Sequence, residues 1–212
     1  MSSYTYTQKE EFANALTHAI GALLSLIAIT ILISYAREKG NVWGLFSVII
    51  YGMTMILMYM SSTIVHTVKN KKRKEIFLLL DHSSIFLFIA GCYTPITLLL
   101  LEGTVKWTLF ILVWSIALIG IVFKIFFLRK FMFFTTFIYI LLGWLVVIAW
   151  EPLISSLELK GVFLLVIGGI CYSIGTIFYL WRGFPYHHAI WHVCVLFESA
   201  FHYFAILFYV VV

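Results

Sequence analysis

The sequence predicts an all-α membrane protein, a bundle of seven transmembrane helices with a cytoplasmic amino terminus and an extracellular carboxyl terminus. Three observations carry this expectation. The 212 residues are 63% hydrophobic and only 11% charged, against roughly 45–50% apolar and 25% charged in soluble domains. Apolar runs of about 20 residues, the length that crosses a bilayer as a helix, recur along nearly the whole chain. The basic residues are distributed unevenly between alternate connections.

Taken in order, the expected spans are residues 15–35, 42–65, 76–101, 107–128, 131–150, 159–181 and 189–212, joined by short connections. They leave little room for a separate soluble domain, so residues 1–212 are expected to form one transmembrane domain with a short cytoplasmic segment over residues 1–14. The first apolar run follows Glu10 and Glu11, is longer than a signal-peptide core and lacks a basic n-region, so it is expected to remain in the mature protein. Trp43, Trp107, Trp150, Trp181 and Trp191 fall near expected ends, where an amphipathic ring prefers the headgroup zone, whereas Trp114 and Trp144 sit deeper.

Orientation follows from charge. Lys9, Lys69, Lys71, Lys72, Arg73, Lys74, Lys124, Arg129, Lys130 and Arg182 lie on the side of the amino terminus; Arg37, Lys39, Lys106 and Lys160 lie on the other. The positive-inside rule then places the amino terminus in the cytoplasm. The Lys69 to Lys74 cluster could suggest nucleic acid or anionic lipid, but beside a membrane it is most simply a topology signal. No nucleic-acid partner is expected. Cys92, Cys171 and Cys194 are odd in number, lie in apolar segments and lack C-x-x-C spacing, which argues against a disulfide framework and against a thiolate zinc site. Pro95 is expected to kink the third helix, and Gly21, Ser25, Gly168, Gly169, Ser173 and Gly175 to allow close helix contact.

Charged and imidazole side chains in hydrocarbon cost on the order of 2.5 kcal/mol or more on insertion scales, so each requires a partner or a purpose. The candidates are His18, His66, Asp81, His82, His188, His192, Glu198 and His202. His188 and His192 are four apart and share one helix face, which suits either two ligands of one zinc or two interfacial histidines bonded to headgroups or carbonyls. The second helix ends, and the third and seventh begin, on the same side of the membrane. His66, Asp81, His188 and His192 therefore share one level, where a common zinc would satisfy them together. Ser62 lies on the His66 face and could orient a water on the metal or bond its own i-4 carbonyl. Glu198 and His202, also four apart, read as a self-paired couple roughly 15 Å from His192, too far for the same ion.

Ser62-x-x-x-His66, Asp81 and His188-x-x-x-His192 together resemble the progestin and adipoQ receptor superfamily. Asp81-His82-Ser83 through Gly91-Cys92-Tyr93-Thr94-Pro95, with Glu11-x-x-Asn14-x-x-Thr17-His18, is similar to its bacterial hemolysin III branch. The resemblance spans residue 11 to the end. It implies a seven-helix bundle, a zinc ion held by His66, His188 and His192 near the cytoplasmic side, and Asp81 and Ser62 holding a water on that zinc. Glu198 stands where the family would have a small or apolar residue. Animal members of the family are hormone receptors linked to ceramide hydrolysis; bacterial members carry a reported haemolytic activity and ties to membrane-lipid homeostasis.

The leading expectation is thus a zinc-dependent hydrolase of a lipid amide or ester bond in the cell membrane, with membrane lipids, ceramide-like or fatty-acyl, as its partners. The alternative is a receptor or sensor in which zinc is structural. A pore-forming haemolysin fits poorly, since no amphipathic lytic helix or soluble precursor region is visible, and ion or proton transport stands behind both.

Overall fold

The computed structural model describes residues 6 to 211, and among these all regular structure is helical. Seven helices are long and apolar enough to cross a membrane: α1 (Gln8–Glu38), α2 (Val42–Thr67), α3 (Lys71–Leu100), α4 (Gly103–Phe127), α5 (Met132–Ser156), α6 (Leu159–Leu180) and α7 (His187–Val211). The seven-span expectation holds, with boundaries that differ in instructive ways.

The first span begins well before residue 15. Thr7 caps α1 through a capping box: its hydroxyl accepts from the Glu10 amide, and the Glu10 carboxylate accepts from the Thr7 amide at 2.8 Å. Residues 8–14 of the expected amino-terminal segment are therefore helix. Asn70 caps α3 by accepting from the Arg73 amide, which draws the basic cluster from Lys71 to Lys74 into that helix's first turn. Lys124, counted toward the amino-terminal side, lies inside α4 and is buried. Hydropathy marks where hydrocarbon starts; capping chemistry marks where the helix starts.

The fifth span is not one regular helix. It runs α-helically over Met132–Gly143, tightens into a 3-10 segment at Leu145–Ala149 and resumes at Trp150–Ser156. Backbone groups freed at such a break need partners inside a membrane. Tyr93 of α3 supplies one, since its hydroxyl donates to the Gly143 carbonyl and accepts from the Val146 amide, both at 2.8 Å. In contrast, α3 continues through Pro95 to Leu100. The last span is α-helical over His187–Ala205 and closes as a π segment at Ile206–Val211.

The central element is α3, 78% buried over its apolar window, against 22% for α1. α2 and α4 flank it, α1 packs on α2, and α7 packs between α6 and α1. The outer faces carry Phe12, Leu23, Ile119, Phe126 and Ile148, all exposed as a lipid-facing surface requires. Close approach is bought where side chains are missing: a Cβ on Gly21 would overlap the Tyr59 ring.

Candidate metal centre

Three helices bring histidines to one end of the bundle. His66 comes from the end of α2, His188 and His192 from the first turns of α7, and His18 from α1. One ring nitrogen from each of His66, His188 and His192 lies within 4.8 Å of the other two. Their ring centroids are 5.1 Å (His66 to His188), 5.3 Å (His66 to His192) and 4.5 Å (His188 to His192) apart.

The ring orientations have identifiable causes. His66 Nδ1 is 2.6 Å from a Glu11 carboxylate oxygen, and the other oxygen of Glu11 accepts from Lys74 at 2.6 Å. His192 Nδ1 lies 3.0 Å from the Asn14 carbonyl and 3.1 Å from the Thr17 hydroxyl. A carboxylate and a carbonyl only accept, so Nδ1 carries a proton in both rings, and in the neutral ring Nε2 then holds the lone pair. Metal-bound histidines are typically fixed in this way by an acceptor on the far nitrogen.

His66 Nε2 and His188 Nδ1 are buried without a hydrogen-bond partner. Such atoms are costly in an apolar interior. Three imidazoles with free, mutually close nitrogens fit the donor set of a zinc site with three protein ligands. The residues present therefore suit the ion that the motifs imply.

Asp81 and Ser62 lie beside this cluster. Their side chains interact with each other, and both border a cavity of about 20 Å³ shared with His18, His188 and His192. That is room for about one or two waters. The back-bond open to Ser62 is made instead by its neighbour Ser61, which donates to the Met58 carbonyl at 3.1 Å. The five residues singled out from sequence, Ser62, His66, Asp81, His188 and His192, thus come to one place.

His18 is a further member that spacing arguments left outside the site. Its ring stacks on His192 with centroids 3.5 Å apart, its edge meets Tyr59 at 5.1 Å, and both its nitrogens are buried without a partner. Glu11, Asn14 and Thr17 also belong here, as the acceptors that steer the ligands. A signal for three of these four was present. Glu11, Asn14 and His18 recur at i, i+3 and i+7, a single polar stripe on an otherwise apolar helix.

The other imidazoles are engaged elsewhere, although His82 also borders the cavity. His82 donates from Nδ1 to the Leu78 carbonyl at 2.8 Å and meets the Tyr179 hydroxyl at 3.1 Å, tying α3 to α6. His187 reaches back to the Phe178 carbonyl at 3.0 Å. The turn that delivers His188 is held from α1: Tyr186, in the left-handed region at φ 62°, donates its amide to Glu10 at 3.1 Å. A non-glycine residue there is strained, and Glu10 secures it while also capping its own helix. Glu198 and His202 pair at 2.9 Å farther along α7, as their spacing suggests.

Fold and site together define a multi-pass membrane protein with a buried histidine cluster at one end of a seven-helix bundle. A profile described as "Haemolysin-III related" matches residues 6–203, and the chain belongs to that family. It is 52% identical to the "Hemolysin-3 homolog" of Bacillus subtilis (strain 168) over 206 residues, covering 97% of each chain. To the "Hemolysin-3" of Bacillus cereus it is 47% identical over 210 residues, covering 99% of this chain and 96% of the relative. A more distant similarity, 28% over 209 residues, links it to the human "Monocyte to macrophage differentiation factor", covering 96% of this chain and 85% of that protein. This is the hemolysin III branch of the progestin and adipoQ receptor superfamily that the motifs resemble.

Proposed function

We propose that this protein is a zinc-dependent hydrolase of an amide or ester bond in a membrane lipid, ceramide-like or fatty-acyl, with a role in membrane-lipid homeostasis. One observation carries the reading: the His66, His188 and His192 nitrogens gather within 4.8 Å beside a cavity that Asp81 and Ser62 border. His66, His188 and His192 would hold the zinc and leave its fourth position open. Bound there, zinc supplies Lewis acidity, which lowers the pKa of water to about 7 and polarises a carbonyl.

The remaining work falls to the chain itself. Asp81 is the carboxylate bordering the cavity among the described residues, so its oxygen takes a proton from the attacking water and returns it to the leaving amine or alcohol. Ser62 fixes the Asp81 carboxyl through their side-chain interaction. Met58, Phe88 and Trp191 form an apolar wall that limits bulk water. From the charge split we infer that the cluster faces the cytoplasm.

The test uses purified protein loaded with zinc and presented with labelled ceramides and phospholipids in micelles. Asp81→Ala should abolish product formation, read by mass spectrometry, while zinc content stays at the wild-type level. Undiminished hydrolysis by that variant, or no turnover by the zinc-loaded wild type, overturns the reading.

The size of the cavity favours a second reading, a receptor or sensor in which zinc ties α2 to α7 without turnover. About 20 Å³ accepts water but no acyl chain. On that reading, chelation lowers the melting temperature and loosens the bundle, and no lipid is consumed.

A further inference from the structure

We propose that Cys92 of α3 and Glu198 and His202 of α7 form a second metal site, suited to Zn2+, separate from the histidine cluster. The Cys92 sulfur, a Glu198 carboxylate oxygen and a His202 ring nitrogen lie within 4.8 Å of one another. His192 and His202 are ten residues apart on α7, roughly 15 Å of helix rise, so one ion cannot serve both groups.

The hydrogen bonding around His202 calls for a positive charge, a proton or a metal ion, between these side chains. His202 Nε2 is 3.1 Å from the Leu165 carbonyl, which can only accept, so Nε2 carries the ring proton. Nδ1 of the neutral ring then presents a lone pair to Glu198 Oε1, 2.9 Å away. Two lone pairs at that separation repel unless a proton or a metal ion lies between them. Glu198 itself is 5% exposed, and its second oxygen, Oε2, is buried with no hydrogen-bond partner. A shared proton would leave that oxygen unsatisfied; a metal ion bonded to the carboxylate draws on its charge directly.

Ligand chemistry and charge select the ion. A sulfur, an imidazole nitrogen and a carboxylate oxygen make a mixed set that suits zinc, whereas magnesium and calcium require shells of oxygen. Thiolate, carboxylate and a divalent ion sum to zero, the charge state that a site within hydrocarbon favours. A cavity of about 50 Å³ bordered by Cys92 and His202 has room for a water as fourth ligand. The ring of His202 fits there because residue 168 is glycine; a Cβ at that position would stand 2.5 Å from His202 Cδ2.

Cobalt substitution separates this site from the first, because only here is sulfur a ligand. Purified protein stripped and reloaded with Co2+ should show a sulfur-to-cobalt charge-transfer band in the near ultraviolet. The band should persist in His188→Ala, Cys171→Ser and Cys194→Ser, weaken in Glu198→Gln and vanish in Cys92→Ser. Zinc content should fall from two ions per chain to one in Cys92→Ser. Should that variant fail to fold, X-ray absorption at the zinc edge of the unaltered chain decides, with a sulfur neighbour expected at about 2.3 Å. No sulfur band in the wild type, a band that survives Cys92→Ser, or an edge spectrum without sulfur overturns the proposal.

Discussion

The two polar clusters of this bundle are supported in opposite ways. At the end where α2 closes and α7 opens, two of the histidines meet through rings whose far nitrogens are steered by outside acceptors. Glu11 holds His66, and the Asn14 carbonyl and Thr17 hydroxyl hold His192. Deeper along α7, Glu198 and His202 lean on each other, with one carbonyl behind the ring and a carboxylate oxygen left over. The first arrangement presents lone pairs toward a common centre and spends a stripe of α1 on keeping them there. The second is compact and relies on its own members for neutrality. A site with orienting partners holds its ligands in place before an ion arrives; a self-paired couple must first be drawn apart.

Removing a ligand is the strongest way to break this contrast. His188→Ala should cost the end cluster its zinc, with a loss of affinity beyond the roughly 10–100-fold that outer partners are worth. Metal analysis should then show only the ion of the deeper site. Weaker, and more telling about the role of α1, is Glu11→Gln, expected to lower zinc affinity at the end cluster by roughly 10–100-fold in a competition titration. The cobalt band of the deeper site should not move. An equal loss at both sites would show that Glu11 supports the fold rather than one metal centre.

The smallest effect concerns packing between α1 and α2. Gly21→Ala places a methyl group against the Tyr59 ring, which meets His18 on one side and bonds Ser199 on the other. Overpacking of this kind costs about 1–3 kcal/mol, read as a lower melting temperature. The displacement should be felt at His18 before it reaches His66, so zinc affinity should fall less than in Glu11→Gln.

Much of this was legible in the chain, for physical reasons. A run of some 20 apolar residues has few alternatives to a membrane helix, so seven spans could be counted before any coordinates. The i, i+4 pair His188 and His192 shares a face in any helix, and topology alone brought His66 and Asp81 to the same level. Helix starts were less legible, because α1 and α3 begin on the capping residues Thr7 and Asn70 rather than on hydrocarbon. The break in α5 was hidden as well, since its carbonyl and amide are satisfied by Tyr93, remote in sequence.

Cys92 shows the limit most clearly. Without C-x-x-C spacing it argued against a thiolate zinc site, yet the contact of α3 with the last helix sets it beside Glu198 and His202. Nothing in local spacing encodes a ligand set divided between two distant helices. His18 is a different case, because its stripe with Glu11 and Asn14 was visible and its level could have been counted from the same end.

The central claim is that His66, His188 and His192 hold a zinc ion. Its most direct test is X-ray absorption at the zinc edge of purified Cys92→Ser protein, in which the deeper sulfur ligand is gone. The expected spectrum contains nitrogen and oxygen neighbours only, with the outer-shell scattering of imidazole rings, from one zinc per chain that is lost on adding His188→Ala. Folded protein that binds no zinc, or zinc that survives the loss of His188 unchanged, would contradict the claim.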